Sequence, residues 1–367
     1  MSAMSGELSI DLGALRQNYK ILDDMVGGNC RTAPSVKANA YGLGLEQIVL
    51  ALYESGARAF FVATLEEGIE IRAFLPDVEI YILNGFFDAE QKTYIKQNLI
   101  PVLDSLHEIQ AYHLVAKHRG KTLPALLHFD TGMNRLGIPS DEAGIIFDNL
   151  SVLDGVDVRY VMSHFVSSEE TENPSNPGQF KKFQSIMTHF PNTKFSMCNS
   201  GGVFLSPDYH LDLIRPGIAL YGGNPTDGRE ENPMNPVVSL NVPVLQIHSV
   251  KKGETAGYNG THRFHRDGRV AVMSIGYADG LFRSLGNQGA LYWKGYKLPI
   301  CGRVSMDLVI CDLEAVPQEE YPNPGDMVEV IGAHQTIDDL AASAGTISYE
   351  ILTALGARYR RSYINNF

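Results

Sequence analysis

The sequence has little basic charge and no long apolar run. Its 30 lysines and arginines stand against 42 aspartates and glutamates, which gives a formal net charge of -12 over 367 residues. This balance argues against binding to nucleic acids or to anionic membranes. No apolar run approaches the length of a membrane span, and the segment MSAMSGELSI lacks the basic and apolar parts of a signal peptide. We therefore expect a cytoplasmic protein with no nucleic-acid or membrane partner.

Cysteines are also scarce. Cys30, Cys198, Cys301 and Cys311 are far apart and form no CxxC pair, which is typical of reduced thiols rather than of disulfides or a zinc site. The 11 histidines show no HExxH or other paired spacing, so no metal site is predicted. The single DTG motif lacks the second aspartate of an aspartic protease, and GLGLEQ lacks the third glycine of a dinucleotide fingerprint.

What the sequence does contain, from about residue 30 to 222, is an alternation of short apolar and longer amphipathic segments. Helix-like stretches such as LEQIVLALYESG carry apolar residues at helical spacing. The apolar segments predict eight strands, at 33–38, 59–63, 79–83, 100–104, 124–129, 158–165, 194–198 and 210–215. Strands that alternate with helices imply a parallel sheet, and eight such units favour a (β/α)8 TIM-like barrel over a doubly wound open sheet.

The composition changes at GNPTDGREENPMNP, residues 223–236, where proline, glycine, asparagine and charge predict a linker. The strand candidates beyond it are short, alternating and separated by turns, and a helical tail is expected from Thr336 to about Tyr359. We therefore predict an α/β protein of two domains. Residues 1–232 would form the (β/α)8 barrel and residues 233–367 a mainly β domain.

Polar residues follow several of the predicted barrel strands. The active site of such a barrel lies at the C-terminal ends of its strands, so these residues are the catalytic candidates. They are Lys37 after strand 1, Asp130 and Arg135 after strand 5, His164 after strand 6, Asn199 and Ser200 after strand 7, and Arg215, Gly217 and Ile218 after strand 8.

The last two of these loops suit a phosphate group. Barrels often bind phosphate with the loops after strands 7 and 8 together with a helix N-terminus. Gly217 and Ile218 follow a proline and would present N–H groups at the start of an eighth helix. A strand-end lysine alone usually reaches solvent. Beside a phosphate site and Arg215, however, Lys37 indicates a phosphorylated aldehyde cofactor held as a Schiff base, and pyridoxal 5'-phosphate fits.

Segments along nearly the whole chain resemble those of alanine racemases, which are fold-type III pyridoxal phosphate enzymes. They are SVKANAYGLG, DTGMNRLG, SHF, NSGG, RPGIALYGG, AGYNGTH, SIGYADG, GRVSMD and SYE, in the order of that family. The resemblance implies interconversion of L- and D-alanine, which would supply D-alanine for peptidoglycan. It also implies a homodimer whose active site is shared between subunits.

The resemblance also implies the roles of individual residues. Lys37 matches the lysine that holds the cofactor and serves as one acid–base group, and Tyr258 matches the second acid–base group. The cofactor-binding matches are Lys37, Tyr41, Arg135, His164, Asn199, Ser200, Arg215, Gly217, Ile218 and Tyr349. The substrate-binding matches are Arg135, Tyr277, Met306 and Asp307, and Glu169, Arg283 and Arg303 would line the entrance with them.

Racemisation requires that a proton leave one face of the α-carbon and that another arrive at the opposite face. Lys37 serves one face only, so a second group is needed at the other. The resemblance implies that this group is Tyr258, contributed by the partner subunit. A guanidinium only donates hydrogen bonds, so Arg215 would keep the ring nitrogen of the cofactor unprotonated. This weakens the ring as an electron sink and favours racemisation over transamination. His164 would couple Tyr258 to Arg215.

One position departs from the family pattern. Two residues before the DTG aspartate, the family usually carries a lysine modified to a carbamate, whose negative charge orients the arginine of that motif. This chain has His128 there, and a histidine does not supply a stable anion. We expect a bound anion such as chloride, or another carboxylate, to position Arg135 instead.

Other functions stay open at this point. The volume of the pocket is not readable from sequence, so a racemase of broader specificity, for serine or lysine, shares all of these features. A non-catalytic pyridoxal phosphate carrier shares the barrel and Lys37, but such carriers usually lack a second domain. A fold-type III decarboxylase is a third option, although its single-cysteine motif is not apparent.

Overall fold

Residues 6–226 and 231–365 are described by the structure, a computed structural model. Its first elements are strand β1 (Glu7–Asp11) and helix α1 (Leu12–Val26), and eight parallel strands follow them. These are β2 (Arg31–Thr32), β3 (Ala59–Val62), β4 (Glu79–Ile82), β5 (Ile100–Leu103), β6 (Leu123–His128), β7 (Val156–Met162), β8 (Lys194–Ser196) and β9 (Leu213–Ile214).

The eight strands close into a barrel. Strands β3 to β8 form one ladder in chain order, and β2 pairs with β9. Ser35 bridges Phe61 where β2 meets β3. Between β8 and β9, the Asp212 N–H donates to the Phe195 carbonyl at 3.0 Å. The predicted (β/α)8 barrel is confirmed.

The barrel strands are apolar along their length because both of their faces are buried. Side chains of alternate residues, such as Phe61, Tyr81 and Val102, fill the barrel interior. Their sequence neighbours, such as Phe60 and Ile80, pack outward in the main core. An interior filled in this way leaves the ends of the strands as the place where a ligand site forms.

Helices cover the outside of the barrel. The first of them in the chain, α2 (Lys37–Tyr41), is a short turn at the cavity. The others are α3 (Leu45–Glu54), α4 (Leu65–Phe74), α5 (Gln91–Gln97), α6 (Leu106–Arg119), α7 (Ser140–Asp148), α8 (Ser175–Met187) and α9 (Ser200–Leu205). The predicted eighth helix after Gly217 is wrong, because β9 is followed only by a 3-10 turn at Ile218–Tyr221. Helix α1 packs beside this turn, and the buried Asn18 amide donates to the Leu220 carbonyl at 3.1 Å.

The rest of the described chain forms a second, mainly antiparallel sheet, a small two-stranded ribbon and two helices. The strands are β10 (Val238–Val250), β11 (Thr255–Ala256), β12 (His262–Arg263), β13 (Gly268–Met273), β14 (Ala290–Trp293), β15 (Tyr296–Pro299), β16 (Val309–Asp312), β17 (Met327–Ile331) and β18 (Arg360–Ile364). The helices are α10 (Ile337–Ala344) and α11 (Ser348–Ala354). The predicted mainly β half is confirmed.

Strand β1 belongs to this second sheet, although the predicted domain boundary placed it with the barrel. It pairs antiparallel with β10, with Ile10 opposite Val238, and parallel with β18, with Ile10 opposite Tyr363. The helical tail predicted up to Tyr359 is only α10 and α11, and β18 follows it. A short segment such as ELSID has no partner nearby in the chain, so its own pattern does not reveal which sheet it joins. Among the described residues, no helix combines the length and the apolar character that crossing a bilayer requires.

Candidate active site

A cavity of about 450 Å³ opens at the C-terminal ends of the barrel strands. The predicted residues that line it are Lys37, Tyr41, Arg135, His164, Asn199, Ser200, Arg215, Gly217 and Tyr349. Ile218 is buried next to Gly217. The fold thus brings strand-end residues that are far apart in sequence to one place.

Lys37 begins an unusual turn, α2. Residues 38–41 have φ between 52° and 56°, so the turn is left-handed although it contains no glycine. This conformation costs about 1–2 kcal/mol per residue, and it persists only where the surroundings fix it. Glu67 does so, because its carboxylate accepts hydrogen bonds from the N–H of Ala38 at 2.6 Å and of Ala63 at 2.8 Å. The turn begins five residues after the end of β2 and leaves the Lys37 side chain in the cavity.

The surroundings of Lys37 favour its neutral form. Burial lowers the pKa of the Lys37 amine, and the Arg135 guanidinium lowers it further, while Glu67 acts in the opposite direction. A lower pKa raises the fraction of unprotonated amine near neutral pH, and the unprotonated amine is the nucleophile that attacks an aldehyde.

The loops after β8 and β9 form a cradle for an anion. The Ser200 hydroxyl oxygen accepts hydrogen bonds from the N–H of Gly217 at 2.8 Å and of Ala219 at 3.2 Å. Its own proton can then be donated to a ligand. The Ile218 N–H begins the 3-10 turn and has no acceptor within it. Hydroxyl and backbone N–H donors of this kind are what a phosphate requires.

Gly217 is required at this position by the side chain of Tyr41. A Cβ added to Gly217 would lie 2.1 Å from the Tyr41 hydroxyl oxygen. Tyr41 itself is held by aromatic neighbours, with ring centroids at 4.5 Å from Tyr221 and 5.9 Å from Tyr349. Burial raises the pKa of Tyr41 to about 12, so its hydroxyl keeps a proton to donate at the edge of the cradle.

Arg215 is buried on the floor of the cavity with only 5% of its surface exposed. It donates to the Ser163 carbonyl at 2.7 Å and to the Ser196 hydroxyl. Burial lowers the pKa of Arg215 to about 10, which leaves the guanidinium cationic at neutral pH. A third contact, at 3.3 Å, joins its Nη2 to Nδ1 of His164. Burial, and then the charge of Arg215, set the pKa of His164 well below its ordinary value. His164 is therefore neutral. Its Nδ1 accepts the hydrogen bond from Arg215, and its Nε2–H can donate to another group.

Arg135 is carried by a loop that Asp130 organises. The Asp130 carboxylate accepts from the N–H groups of Gly132 at 2.8 Å and Met133 at 2.9 Å, which is an Asx-type turn. Asn134 has a φ of 53°, a conformation that asparagine tolerates better than most residues. This turn directs Arg135 toward the mouth of the cavity, where its side chain is partly open to solvent.

The other predicted site residues lie outside this cavity, on the second domain. Tyr258 is 69% exposed and Met306 54% exposed, and Tyr277 is also at the surface. Asp307 is paired with Arg358 at 2.7 Å, and the same arginine bonds Asp279 at 2.6 Å. A single chain therefore does not bring Tyr258, Tyr277, Met306 or Asp307 to Lys37.

Sequence reasoning missed three residues that shape the site. Asn84 lines the cavity just after β4, and Asp104 follows β5 directly. The strand-end rule that singled out Lys37 would have found both. Glu67, which fixes the turn at Ala38, gives no such signal because it lies within helix α4.

Comparisons with known proteins agree along the whole chain. The family models "Alanine racemase, N-terminal domain" and "Alanine racemase, C-terminal domain" match residues 10–225 and 237–363. A catabolic alanine racemase of Agrobacterium fabrum is 45% identical over 98% of this chain and 92% of its own length. The crystal structure of alanine racemase from Bartonella henselae with covalently bound pyridoxal phosphate has a TM-score of 0.94 at 38% identity, covering 98% of this chain and 99% of that one. The biosynthetic alanine racemase of Pseudomonas aeruginosa has a TM-score of 0.91 at 31% identity, covering 99% and 100%.

Proposed function

The chain belongs to the alanine racemase family, and we propose that its cavity performs this reaction with Lys37 and the partner subunit's Tyr258 as the two acid–base groups. The protein is an isomerase that interconverts L- and D-alanine, and its cofactor is pyridoxal 5'-phosphate. The observation that carries the residue assignment is the convergence of Lys37, Arg215 and the Ser200–Gly217 cradle on one cavity.

The residues present fit this cofactor. The cradle at Ser200 and Gly217 offers donors for a phosphate, and the space that a Cβ on Gly217 would fill is taken by the Tyr41 hydroxyl. Lys37, whose pKa is lowered by burial, supplies the amine for attachment to an aldehyde. Arg215 supplies a permanent donor for a ring nitrogen.

Bound pyridoxal phosphate withdraws electrons from the substrate and so makes its α-hydrogen acidic. Lys37 then removes or delivers the proton on the face of the α-carbon that it reaches. Arg215 remains cationic and would hold the ring nitrogen of the cofactor as a hydrogen-bond donor, which would limit electron withdrawal and so disfavour protonation at the wrong carbon. Neutral His164 accepts from Arg215 at 3.3 Å and leaves its Nε2–H to a group on the other side of the cavity.

The second base comes from a second copy of the chain. Tyr258 does not line the cavity of its own chain and is 69% exposed, on the same domain as the exposed Tyr277 and Met306. A homodimer in which this surface covers the partner's cavity completes the site. It would place Tyr258 opposite Lys37 and bring Met306 and Asp307 to the substrate.

We also propose that the enzyme works in the cytoplasm and supplies D-alanine for peptidoglycan. All four cysteines are buried free thiols, which suits a reducing compartment. The Agrobacterium fabrum relative is named catabolic, so the competing role is consumption of D-alanine. A deletion strain that grows without added D-alanine and loses growth on D-alanine as carbon source would contradict the biosynthetic role.

The test of the two-base assignment uses purified enzyme with pyridoxal phosphate in deuterated water. We expect L-alanine to lose its α-proton signal and to yield D-alanine, because the proton that returns comes from exchangeable groups. Lys37→Ala should abolish exchange for both enantiomers. Tyr258→Phe should suppress racemisation by about 10²-fold or more, as the loss of a general acid–base group does.

Separate assays with L-serine and L-lysine decide the substrate. A faster reaction with either one would assign another substrate to the same residues. Binding of the cofactor without exchange for any amino acid would refute the two-base assignment and favour a carrier.

A further inference from the structure

Arg135 has no hydrogen bond or ion pair with any residue in the described part of the chain, although the proposed function requires it to hold a carboxylate. Its loop is fixed by Asp130, but its guanidinium is not. His128, at the end of β6, lines the same cavity as Arg135.

His128 is itself held by a buried carboxylate. Its Nδ1 lies 2.6 Å from Oδ1 of Asp104, and the two residues are 9% and 6% exposed. The register of the barrel creates this pair, because Leu103 of β5 lies opposite Leu127 of β6 and the next residue on each strand is Asp104 or His128. A carboxylate only accepts hydrogen bonds, so Nδ1 carries the proton. In the neutral ring, Nε2 at the other edge is then an acceptor.

The negative charge of Asp104 is not otherwise neutralised. Its Oδ2 is buried and has no hydrogen-bond partner within the described residues. Glu108 lies behind it and accepts from the Asp104 N–H at 3.0 Å. Burial raises the pKa of Glu108 to about 7, and the charge of Asp104 adds to this rise. A protonated Glu108 adds no second negative charge beside Asp104.

The two edges of the His128 ring therefore face opposite charges. Asp104 stands on the barrel side, and the cations Lys37, Arg135 and Arg215 share the cavity side. An imidazole whose Nδ1–H is held by a carboxylate is a stronger acceptor at Nε2, because the hydrogen bond transfers negative charge to the ring.

We propose that Asp104 and His128 are positioning residues for Arg135. Nε2 of His128 accepts a hydrogen bond from the guanidinium, and Asp104 supplies the negative charge that the family's modified lysine supplies elsewhere. The pair is part of the protein, so no chloride ion and no modification of a side chain is needed. This inference rests on the proposed function, which assigns Arg135 to the carboxylate of the substrate.

Three variants of the holoenzyme test the pair. Asp104→Asn keeps the shape and removes the charge. His128→Asn keeps a donor near the Nδ1 position for Asp104 and removes the acceptor at Nε2. His128→Gln places an amide oxygen near the Nε2 position and serves as the conservative rescue. Asp157→Asn, which loses a half-exposed carboxylate that pairs with Arg159 at the far end of the barrel, is the matched control.

Two measurements are made on each variant. The first is kcat and KM for L- and D-alanine. The second is the Kd of acetate, a carboxylate that cannot react, followed by the absorbance of the bound cofactor. We expect Asp104→Asn and His128→Asn to raise both KM values and the acetate Kd about tenfold, the size expected for one hydrogen bond to a charged group. Cofactor content and thermal midpoint of His128→Asn should stay at the wild-type values, and His128→Gln should recover most of the loss.

The outcomes separate this inference from the proposed function. A KM and an acetate Kd within about twofold of wild type in His128→Asn, well below the tenfold effect of such a bond, would overturn the pair's role. A fall of the wild-type KM when gluconate is replaced by chloride would overturn it as well, because an added anion would then hold Arg135. Acetate binding does not depend on turnover, so a wild-type protein that fails to racemise alanine still decides the question.

Discussion

At the scale of single residues, Glu108 shows how closely a buried charge is tied to its surroundings. It is partly buried behind Asp104, and its carboxylate accepts a hydrogen bond from the Asp104 N–H. No cation contributes to the shift of its pKa. Its pKa in the folded protein, about 7, lies well above the value near ~4.3 of an unfolded chain. The folded state therefore binds a proton more tightly than the unfolded state.

This residue gives the folded protein a pH dependence with a definite sign. A group whose pKa is raised by folding contributes its full stability below the unfolded pKa and loses it as the pH rises through the folded pKa. Glu108→Gln removes this titration. We expect the variant to gain about 2 kcal/mol relative to wild type between pH 5 and pH 8, after allowance for its partial exposure.

The measurement is the free energy of unfolding of both proteins at each half unit of pH. Glu46→Gln, which removes an exposed carboxylate from helix α3, is the control and should show a difference that does not change with pH. A Glu108→Gln difference that is equally flat would show that Glu108 is ionised in the folded protein already at pH 5.

Residue chemistry was predictable wherever a polar side chain followed a barrel strand. Arg215 directly follows β9, and His164 and Lys37 lie two and five residues beyond β7 and β2; all three line the cavity. The Asp104–His128 contact was not predictable, because it depends on the register between β5 and β6, and register is a property of two strands.

At the scale of elements, the left-handed turn after β2 is the least expected part of the fold. Four consecutive residues, 38–41, take a conformation that L-residues avoid, and the sequence KANAY contains no glycine that would indicate it. Alanine-rich segments favour right-handed helix. Tertiary contacts, above all those of Glu67 with Ala38 and Ala63, outweigh this local preference.

The same substitution should therefore have opposite effects in two elements. Ala38→Gly, in the left-handed turn, should stabilise the protein by about 0.5–1 kcal/mol, because glycine adopts positive φ without the clash of a Cβ. Ala111→Gly, inside the right-handed helix α6, should destabilise it by about 1 kcal/mol. Urea unfolding of both variants measures this, and a loss of stability in Ala38→Gly would mean that the methyl group contributes packing that exceeds the strain.

The elements themselves were predictable to different degrees. Seven barrel strands overlap the predicted segments, because each is a short apolar segment flanked by helical periodicity. The first prediction, 33–38, misplaced β2, which lies at Arg31–Thr32. The eighth helix was wrongly expected after Gly217, since a proline and glycines can begin either a helix or a 3-10 turn. Strands β1 and β18 were missed because their pairing partners lie at opposite ends of the chain.

At the scale of the whole molecule, the shared site makes a quantitative prediction about mixed subunits. Lys37→Ala and Tyr258→Phe subunits are each expected to be nearly inactive as homodimers. In a mixed dimer, one of the two sites contains an intact Lys37 and the partner's intact Tyr258. Random exchange of equal amounts should restore about a quarter of the wild-type activity, since half of the dimers are mixed and each has one working site.

The assay is racemase activity after dissociation and reassociation of the two purified variants. As the control, Lys37→Ala subunits are mixed with subunits that carry both substitutions, which gives no intact site in any dimer. Activity in the first mixture no higher than in the control would show that Tyr258 acts on the Lys37 of its own chain.

The incomplete cavity of a single chain could be inferred from sequence only through resemblance. Neither the spacing nor the composition around Tyr258 indicates that it acts in another subunit. The exposure of Tyr258 is known only from the folded second domain, whose surface can then be compared with the cavity.

The pairing of β1 with β18 also has a consequence for the order of events during synthesis. Roughly 350 residues separate these adjacent strands. At about 5–20 residues per second, β1 leaves the ribosome on the order of a minute or less before its parallel neighbour exists. Every strand of the barrel is made before β10 as well, so the barrel can fold while β1 still lacks both of its partners. Strand β1 is thus an unpaired edge during translation. This edge is where the nascent enzyme is most open to chaperone binding and to aggregation.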